Sequence, residues 1–249
     1  LPRSRRIRDL TLVELAGKIT LVIACDSSGG IGMKPQDRLP VPGEVVGRII
    51  AAVPLMEVLA SGATPVAVIN TLSNEMQPTG RAIVRGVEQA VSEAGLPASV
   101  INGSTEENTP TEQTGLGVTV IGTAGSGELR LGSSRPGDLV YCVGKPLMGE
   151  EVLPHQQDAA RISTVRALLG LPGVHEILPV GSKGIEYELG EMAGLAGLSF
   201  DLLDTAQTLD LRKSAGPATC LLVSIVEGSQ SQSLLKAAGI SVTPLARLV

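Results

Sequence analysis

Three acids stand at the ends of apolar runs with glycines beside them. Asp26 closes the run Ile19–Cys25 (ITLVIAC) and precedes SSGGIGMKPQDRLPVPG, while Glu106 and Glu107 lie in a polar loop opened by Gly103. A fourth acid, Glu57, projects from a helical stretch that runs back towards the strand of Asp26. Mg²⁺ is held by one or a few carboxylates, and glycine lets backbone N–H groups approach phosphate oxygens. Acids and glycines so placed therefore suit a magnesium–polyphosphate site. Any one of them taken alone also reads as a solvated surface charge.

Other chemistries are removed by what is missing. With only His155 and His175, no HExxH or other histidine-rich metal site can be built, and both read as surface or capping residues. The chain contains no Walker A sequence, no full GxGxxG and no GxSxG. Cys25, Cys142 and Cys220 are odd in number, widely spaced and free of any CxxC, which reads as reduced, buried thiols in a cytoplasmic protein. Whatever chemistry occurs is carried by carboxylates, glycines and backbone.

The elements that must position these residues follow from periodicity. Ile19–Cys25 has the pattern of a buried strand, and Ser27–Gly43 is too rich in Gly and Pro for regular structure. Glu44–Ser61 has helical spacing with Pro54 inside it and Gly62 as its stop. Strands are expected at Ala63–Leu72, Ala98–Asn102, Gly115–Thr123 and Asp138–Val143, with a helix from Thr79, as its cap, to Glu93. Lys145–Gln157 reads as the internal boundary, dividing the chain into domains 1–147 and 148–249. Helices near Asp158–Leu169, Gly184–Ala193 and Ser229–Ala238 then alternate with strands near His175–Val180, Leu198–Leu203, Ala218–Val226 and Ile240–Leu248. Alternation in both halves predicts an α/β class built of α+β layers.

Composition narrows the partners. The 249 residues are 43% hydrophobic and carry two Tyr, one Phe and no Trp, with a net charge of −5. That leaves neither a base-stacking platform nor the basic footprint of a nucleic-acid binder. No apolar run approaches the roughly 20 residues of a membrane span. The opening LPRSRRIRDL has four Arg in its first eight residues but no secretory apolar stretch. It reads as a truncated or alternative start and a solvated tail, or as a phosphate contact across a dimer interface. A cytoplasmic location is expected.

Order and spacing also resemble a known superfamily. Val41–Pro65, VPGEVVGRIIAAVPLMEVLASGATP, is similar to the "PGG-D-IG…ND-L-A-x-x-GA-x-P" segment of the group containing aminoimidazole ribonucleotide synthetase, thiamine-monophosphate kinase, selenophosphate synthetase and hydrogenase-maturation dehydratase. CDSSGGIGMK resembles its metal-binding Asp ahead of a mobile ATP loop, and NGSTEENTP its GG-[DE]-T segment, with Ser104 where an acid is usual. RPGDLVYCVG matches the strand that closes the first domain, and VGSKGIEYELGEM follows the second-domain pattern faintly, without the preceding Asp. RDLTLVEL, CDSSGGIG, VINTLSNEM and STEENTPTEQTGLGVTVIG look like one small branch, the α-ribazole kinases of cobamide (vitamin B12) lower-ligand salvage.

The resemblance implies two compact domains, with the N-terminal domains of a homodimer pairing into a shared β-barrel. It implies ATP and Mg²⁺ as cofactors and a small-molecule nucleoside as substrate. Asp26 and Glu57, with Glu107 as a third candidate, would hold the metal. Gly29, Gly30 and Gly32 would cover the phosphates, Gly103 and Thr105 would complete the nucleotide site, and Lys34 would neutralise charge. Asp37 or Glu44 would approach a second metal or the acceptor hydroxyl, one of them as base. Asn70, Asn74 and Glu75 read either as lining of the acceptor pocket or as a polar strand end. Ser27–Gly43 is expected to be mobile without ligand and to close over phosphates. Three activities fit this frame: a kinase acting on the 5′-hydroxyl of α-ribazole, an amide-activating cyclase or dehydratase, and a non-enzymatic nucleotide-binding module.

Overall fold

The computed structural model describes residues 3–228 and 230–249, excluding the side chains of 230–232 and 235. Two compact units emerge: the first takes the chain up to Leu59 and Ala63–Glu128, the second Ala60–Gly62 and Leu129 onward. The layers are mixed α+β, as the alternating pattern predicts.

In the first unit the elements run β1 (Arg3–Ile7), β2 (Leu10–Glu14), β3 (Thr20–Gly29), β4 (Ile31–Gly32), β5 (Leu39–Pro40), α1 (Gly43–Ala60), β6 (Thr64–Leu72), α2 (Arg81–Glu93), β7 (Ile101–Ser104) and β8 (Gly115–Ala124). Six of the strands form one open sheet in the order β1-β2-β3-β8-β6-β7. All neighbours are antiparallel except β6 and β7, which are parallel and joined through α2. β8 alternates strictly: Leu116, Val118, Val120 and Ala124 are buried, whereas Thr119, Ile121 and Thr123 on the other face are only half-covered. α1 lies close on the buried face, because a Cβ on Gly122 would come 2.4 Å from Val58 Cγ1. No closed barrel forms within this sheet.

The N-terminal arginine segment is not a tail but a hairpin. Leu10 and Leu12 alternate with Asp9, Thr11 and Val13, and both leucines are buried beside Val22 and Ala24 of β3. Arg3, Arg5 and Arg6 decorate the exposed edge strand, the charged blunting that keeps an open sheet edge from pairing at random. Arg8 takes the tight turn with φ 54°, where glycine is the favoured residue.

The second unit contains β9 (Leu139–Gly144), α3 (Ile162–Leu169), β10 (Val174–Pro179), α4 (Ile185–Leu195), β11 (Phe200–Leu202), β12 (Cys220–Ile225), α5 (Gln230–Ala238) and β13 (Val242–Leu248). Ser229, expected to open the last helix, lies outside the described residues. The sheet order β10-β12-β9-β13-β11 makes β9 the central strand. The boundary expected at 147/148 is thereby corrected to 128/129: β9 lies inside the second unit, flanked on both sides by β12 and β13. The mixed-polarity segment 145–157 is an internal connection, tied to the unit by Leu147 N–H donating to Thr219 Oγ1 at 2.8 Å.

Polar groups hold the entrance to β9. Buried Asp138 accepts from Ser224 Oγ and from Arg135 N–H, and its Oδ2 lies 2.7 Å from His175 Nδ1. His175 is therefore a partner of a buried carboxylate, not a surface residue. Cys142 and Cys220 are buried free thiols as expected, whereas Cys25 is exposed.

Candidate functional site

β3, β6 and β7 run in one direction and β8 in the other, so the ends of the first three and the start of β8 share one end of the sheet. Because β2 is antiparallel to β3, the Arg8–Asp9 turn comes to that end too. The sheet thereby gathers four connections: Arg8–Asp9, Gly30–Pro40, Ser73–Gly80 and Thr105–Thr114. Nearly every site residue read from the sequence lies on or beside them.

The glycine-rich connection is tied down at several points. Gly30 N–H donates to Thr114 O at 2.9 Å, and Gln36 N–H to Glu112 O at 3.0 Å. The Asp37 carboxylate accepts from Lys34 N–H, from Thr114 N–H and from the Thr114 hydroxyl, all within 2.7–2.8 Å. Against the desolvation that burial imposes, the Thr114 and Lys34 bonds hold Asp37 below the ordinary carboxylate value. With its lone pairs so engaged, Asp37 serves as the fastener of the loop. Gly32 sits where a Cβ would come 2.1 Å from Thr114 Oγ1, so only glycine fits under that fastener. These polar contacts fall within the segment that is expected to be mobile without ligand. Thr114 had no signal in the sequence beyond its place just before β8.

Asn74 to Met76 form the junction of the remaining loops. The side chain of fully buried Asn74 donates to Thr111 Oγ1 at 2.6 Å and Gln113 O at 2.8 Å, and accepts from Gly115 N–H at 2.9 Å. The Asn74 backbone carbonyl accepts from Glu106 N–H. Glu75 pairs with Lys34 Nζ at 2.9 Å and accepts from the Thr79 hydroxyl. The Thr79 bond, aided by Lys34, draws the Glu75 carboxyl down to about 2. Thr79 was expected to cap α2; its hydroxyl instead serves Glu75, in a short π-helical turn at Met76–Gly80 that precedes the helix. Met76 N–H and the Thr105 hydroxyl both donate to Glu107 Oε1 at 2.8 Å. Lys34, Glu75, Thr105 and Glu107 are thus gathered around one crossing.

Other expected residues stand elsewhere. Glu44, at the start of α1, faces α2, where Arg85 Nε lies 3.5 Å away and Gln89 donates to it. Buried Asn70 lies on β6 beside β7, and a Cβ on Gly103 would come 2.1 Å from the Asn70 carbonyl. The glycine at 103 is thus required by strand packing. Glu57 is half-buried on α1. Among the described residues, no three His, Cys, Asp or Glu side chains come together as a metal-holding group. Asp26, Glu57 and Glu107 therefore form no ready-made cage.

The donor chemistry at this end still suits a hard cation. Magnesium keeps several waters and needs only one or two carboxylates besides substrate phosphates. Burial pushes the Asp26 carboxyl up, its neighbour Ser27 N–H opposes this, and the charge of Asp9 adds to it. Asp9, Asp37, Glu75, Glu106, Glu107 and Glu112 outnumber Lys34, Arg8 and Arg38 on these connections, and Asp26 on β3 adds a further acid. A polyphosphate could settle among so many acids only with a cation between them. Asp26 is the acid that such a cation would relieve most.

Comparison with known proteins adds the following. Residues 8–124 match the family model described as "AIR synthase related protein, N-terminal domain". By sequence, no curated protein matches the chain. Among solved structures, the chain is similar to the protein tt0281 of Thermus thermophilus (19% identity, TM-score 0.66, covering 97% of this chain and 86% of that one). It is also similar to the thiamine-monophosphate kinase of Stenotrophomonas maltophilia (17%, TM-score 0.63, 97% and 86%). A third likeness is to HypE of E. coli, a hydrogenase maturation protein (19%, TM-score 0.67, 92% and 79%). At these identities the likeness is one of fold.

Proposed function

We propose, from the match of residues 8–124 to the AIR synthase related N-terminal domain, that this chain is an ATP-dependent small-molecule kinase using Mg²⁺. The observation that carries this reading is the crossing of loops at one sheet end, where a glycine-bearing connection with Lys34 meets an excess of carboxylates. Phosphoryl transfer needs chiefly positioning and charge neutralisation, which such a site supplies. A similar fold, AaThiL complexed with AMPPCP and TMP (15% identity, TM-score 0.62), supports nucleotide binding. When bound, Mg²⁺ would neutralise the phosphates, with Asp26 the residue best suited to hold it and Glu57 and Glu107 as further candidates. Lys34, kept in place by Glu75, would face the transferred group. Gly29, Gly30, Gly32, Gly103 and Thr105 would border the nucleotide, and Asn70 and Glu75 the acceptor; Asn74, buried and spent on Thr111, Gln113 and Gly115, braces that end instead.

The acceptor proposed is the 5′-hydroxyl of α-ribazole, on the strength of the strings CDSSGGIG, VINTLSNEM and STEENTPTEQTG. The likeness to HypE supports a second reading, in which ATP activates an amide oxygen. Ser104 in place of an acid argues against it. The test is ADP release with a panel of nucleosides that includes α-ribazole. Turnover on α-ribazole supports the proposal; turnover on an amide substrate supports the second reading. ATP binding without turnover on either would make the protein a nucleotide-binding module.

A homodimer belongs to the same proposal. The half-covered face of the sheet presents Leu21, Ile23, Ala67 and Ile121 side by side across β3, β8 and β6. An apolar strip of this kind favours a partner sheet. Light scattering at micromolar concentration is expected to give twice the chain mass, and a monomer mass would contradict it. No described helix is long and apolar enough to cross a membrane.

A further inference from the structure

Asn102 and Gly103 stand on β7, an edge strand whose only partner among the described residues is β6. Both are exposed. Gly103 N–H donates to the side chain of its own predecessor, with N to Asn102 Oδ1 at 2.8 Å. That bond closes a small ring in which the Gly103 nitrogen is held against the Asn102 carboxamide. The carboxamide carbon is a single covalent bond from the atom it touches. No side chain at 103 shields the approach, and none can be added, since a Cβ there would meet Asn70 O at 2.1 Å and Asn70 Oδ1 at 2.3 Å.

We propose that Asn102–Gly103 is a site of spontaneous deamidation, built into the strand that leads to the Thr105–Glu107 loop. Base removes the Gly103 amide proton, the nitrogen bonds to Asn102 Cγ, and the Cγ–Nδ2 bond breaks with loss of ammonia. The product is a five-membered succinimide. Water then opens one of its two carbonyls, leaving aspartate or isoaspartate at 102. Holding reacting atoms near attack distance is what converts a slow encounter into a fast intramolecular step. Either product adds a carboxylate beside an end of the sheet that is already acidic. Isoaspartate also inserts a carbon into the backbone of β7, where the fit of Gly103 against Asn70 leaves no slack.

The chain contains its own controls. Its other asparagines are Asn70 and Asn74, both buried, and Asn108, exposed and followed by Thr109. The purified full-length chain would be incubated at mildly alkaline pH, once native and once unfolded in urea, and mapped by peptide mass spectrometry. Asn102 is expected to convert about tenfold faster than Asn108 in the native chain, and at least as fast native as unfolded. Asn102→Gln, which lengthens the ring by one carbon, is expected to remain intact at 102 over the same period. Native conversion slower than in urea would mean that the strand shields the site, and the proposal would fail. Equal rates at Asn102 and Asn108 would overturn it as well.

Discussion

Replacing Asp26 with asparagine is expected to cost about a hundredfold in affinity for Mg-ATP, the equivalent of on the order of 2–3 kcal/mol for one lost charged contact. The fold should not suffer. Burial raises the Asp26 carboxyl, Ser27 N–H offsets part of that, and Asp9 adds repulsion. A group whose folded pKa is raised contributes stability below its unfolded value, and loses it as pH rises through the folded one. At neutral pH Asp26 is therefore a net burden on the folded state, and the neutral amide removes that burden. Binding and stability should move in opposite directions, which a merely structural aspartate would not produce. Calorimetric titration reads the first quantity and thermal unfolding near neutral pH the second. Unchanged affinity in Asp26→Asn would remove this residue from the metal site.

The second large effect concerns the helices behind the sheet. A Cβ on Gly86 of α2 would come 2.0 Å from the Glu44 carbonyl oxygen and 2.6 Å from Arg48 N, and one on Gly47 of α1 would come 2.0 Å from Ile83 O. The two backbones touch at this crossing, and the atoms in the way are not movable side-chain ends. Two effects compete in Gly86→Ala. Alanine favours the helix by about 1 kcal/mol over glycine. Forcing the helices apart would loosen Val46, Ile83 and Val87, all buried, and overpacking of this kind costs about 1–3 kcal/mol or more. The clash with backbone on two sides puts the cost at the upper end, so a net loss of about 2 kcal/mol is expected. Urea unfolding measures it. A midpoint at or above that of the unchanged protein would show that the helices part freely.

Much of this molecule could be read in advance, and the reason is periodicity. The strict alternation of Gly115–Ala124, the helical spacing of 44–61 with its stop at Gly62, and the β-branched run before Asp26 each depend on neighbours in the chain. Those features sufficed for most of the element order and for the α+β class, whereas the choice of 26–37, 70–75 and 103–107 rested largely on the resemblance to a known superfamily.

Where the reading erred, the deciding contacts were distant in sequence. The N-terminal hairpin was hidden because its charged edge strand resembles a tail, although Leu10 and Leu12 marked its buried face. β9 looked like the close of the first domain until its partners proved to be β12 and β13, far along the chain. The glycine-rich loop looked unanchored because its anchors, Thr114 for Asp37 and Glu75 for Lys34, lie tens of residues away. A sequence determines by local spacing which residues can be strand, helix or turn. Which carboxylate meets a cation, and which is spent fastening a loop, depends on pairings that only the folded sheet brings within hydrogen-bonding distance.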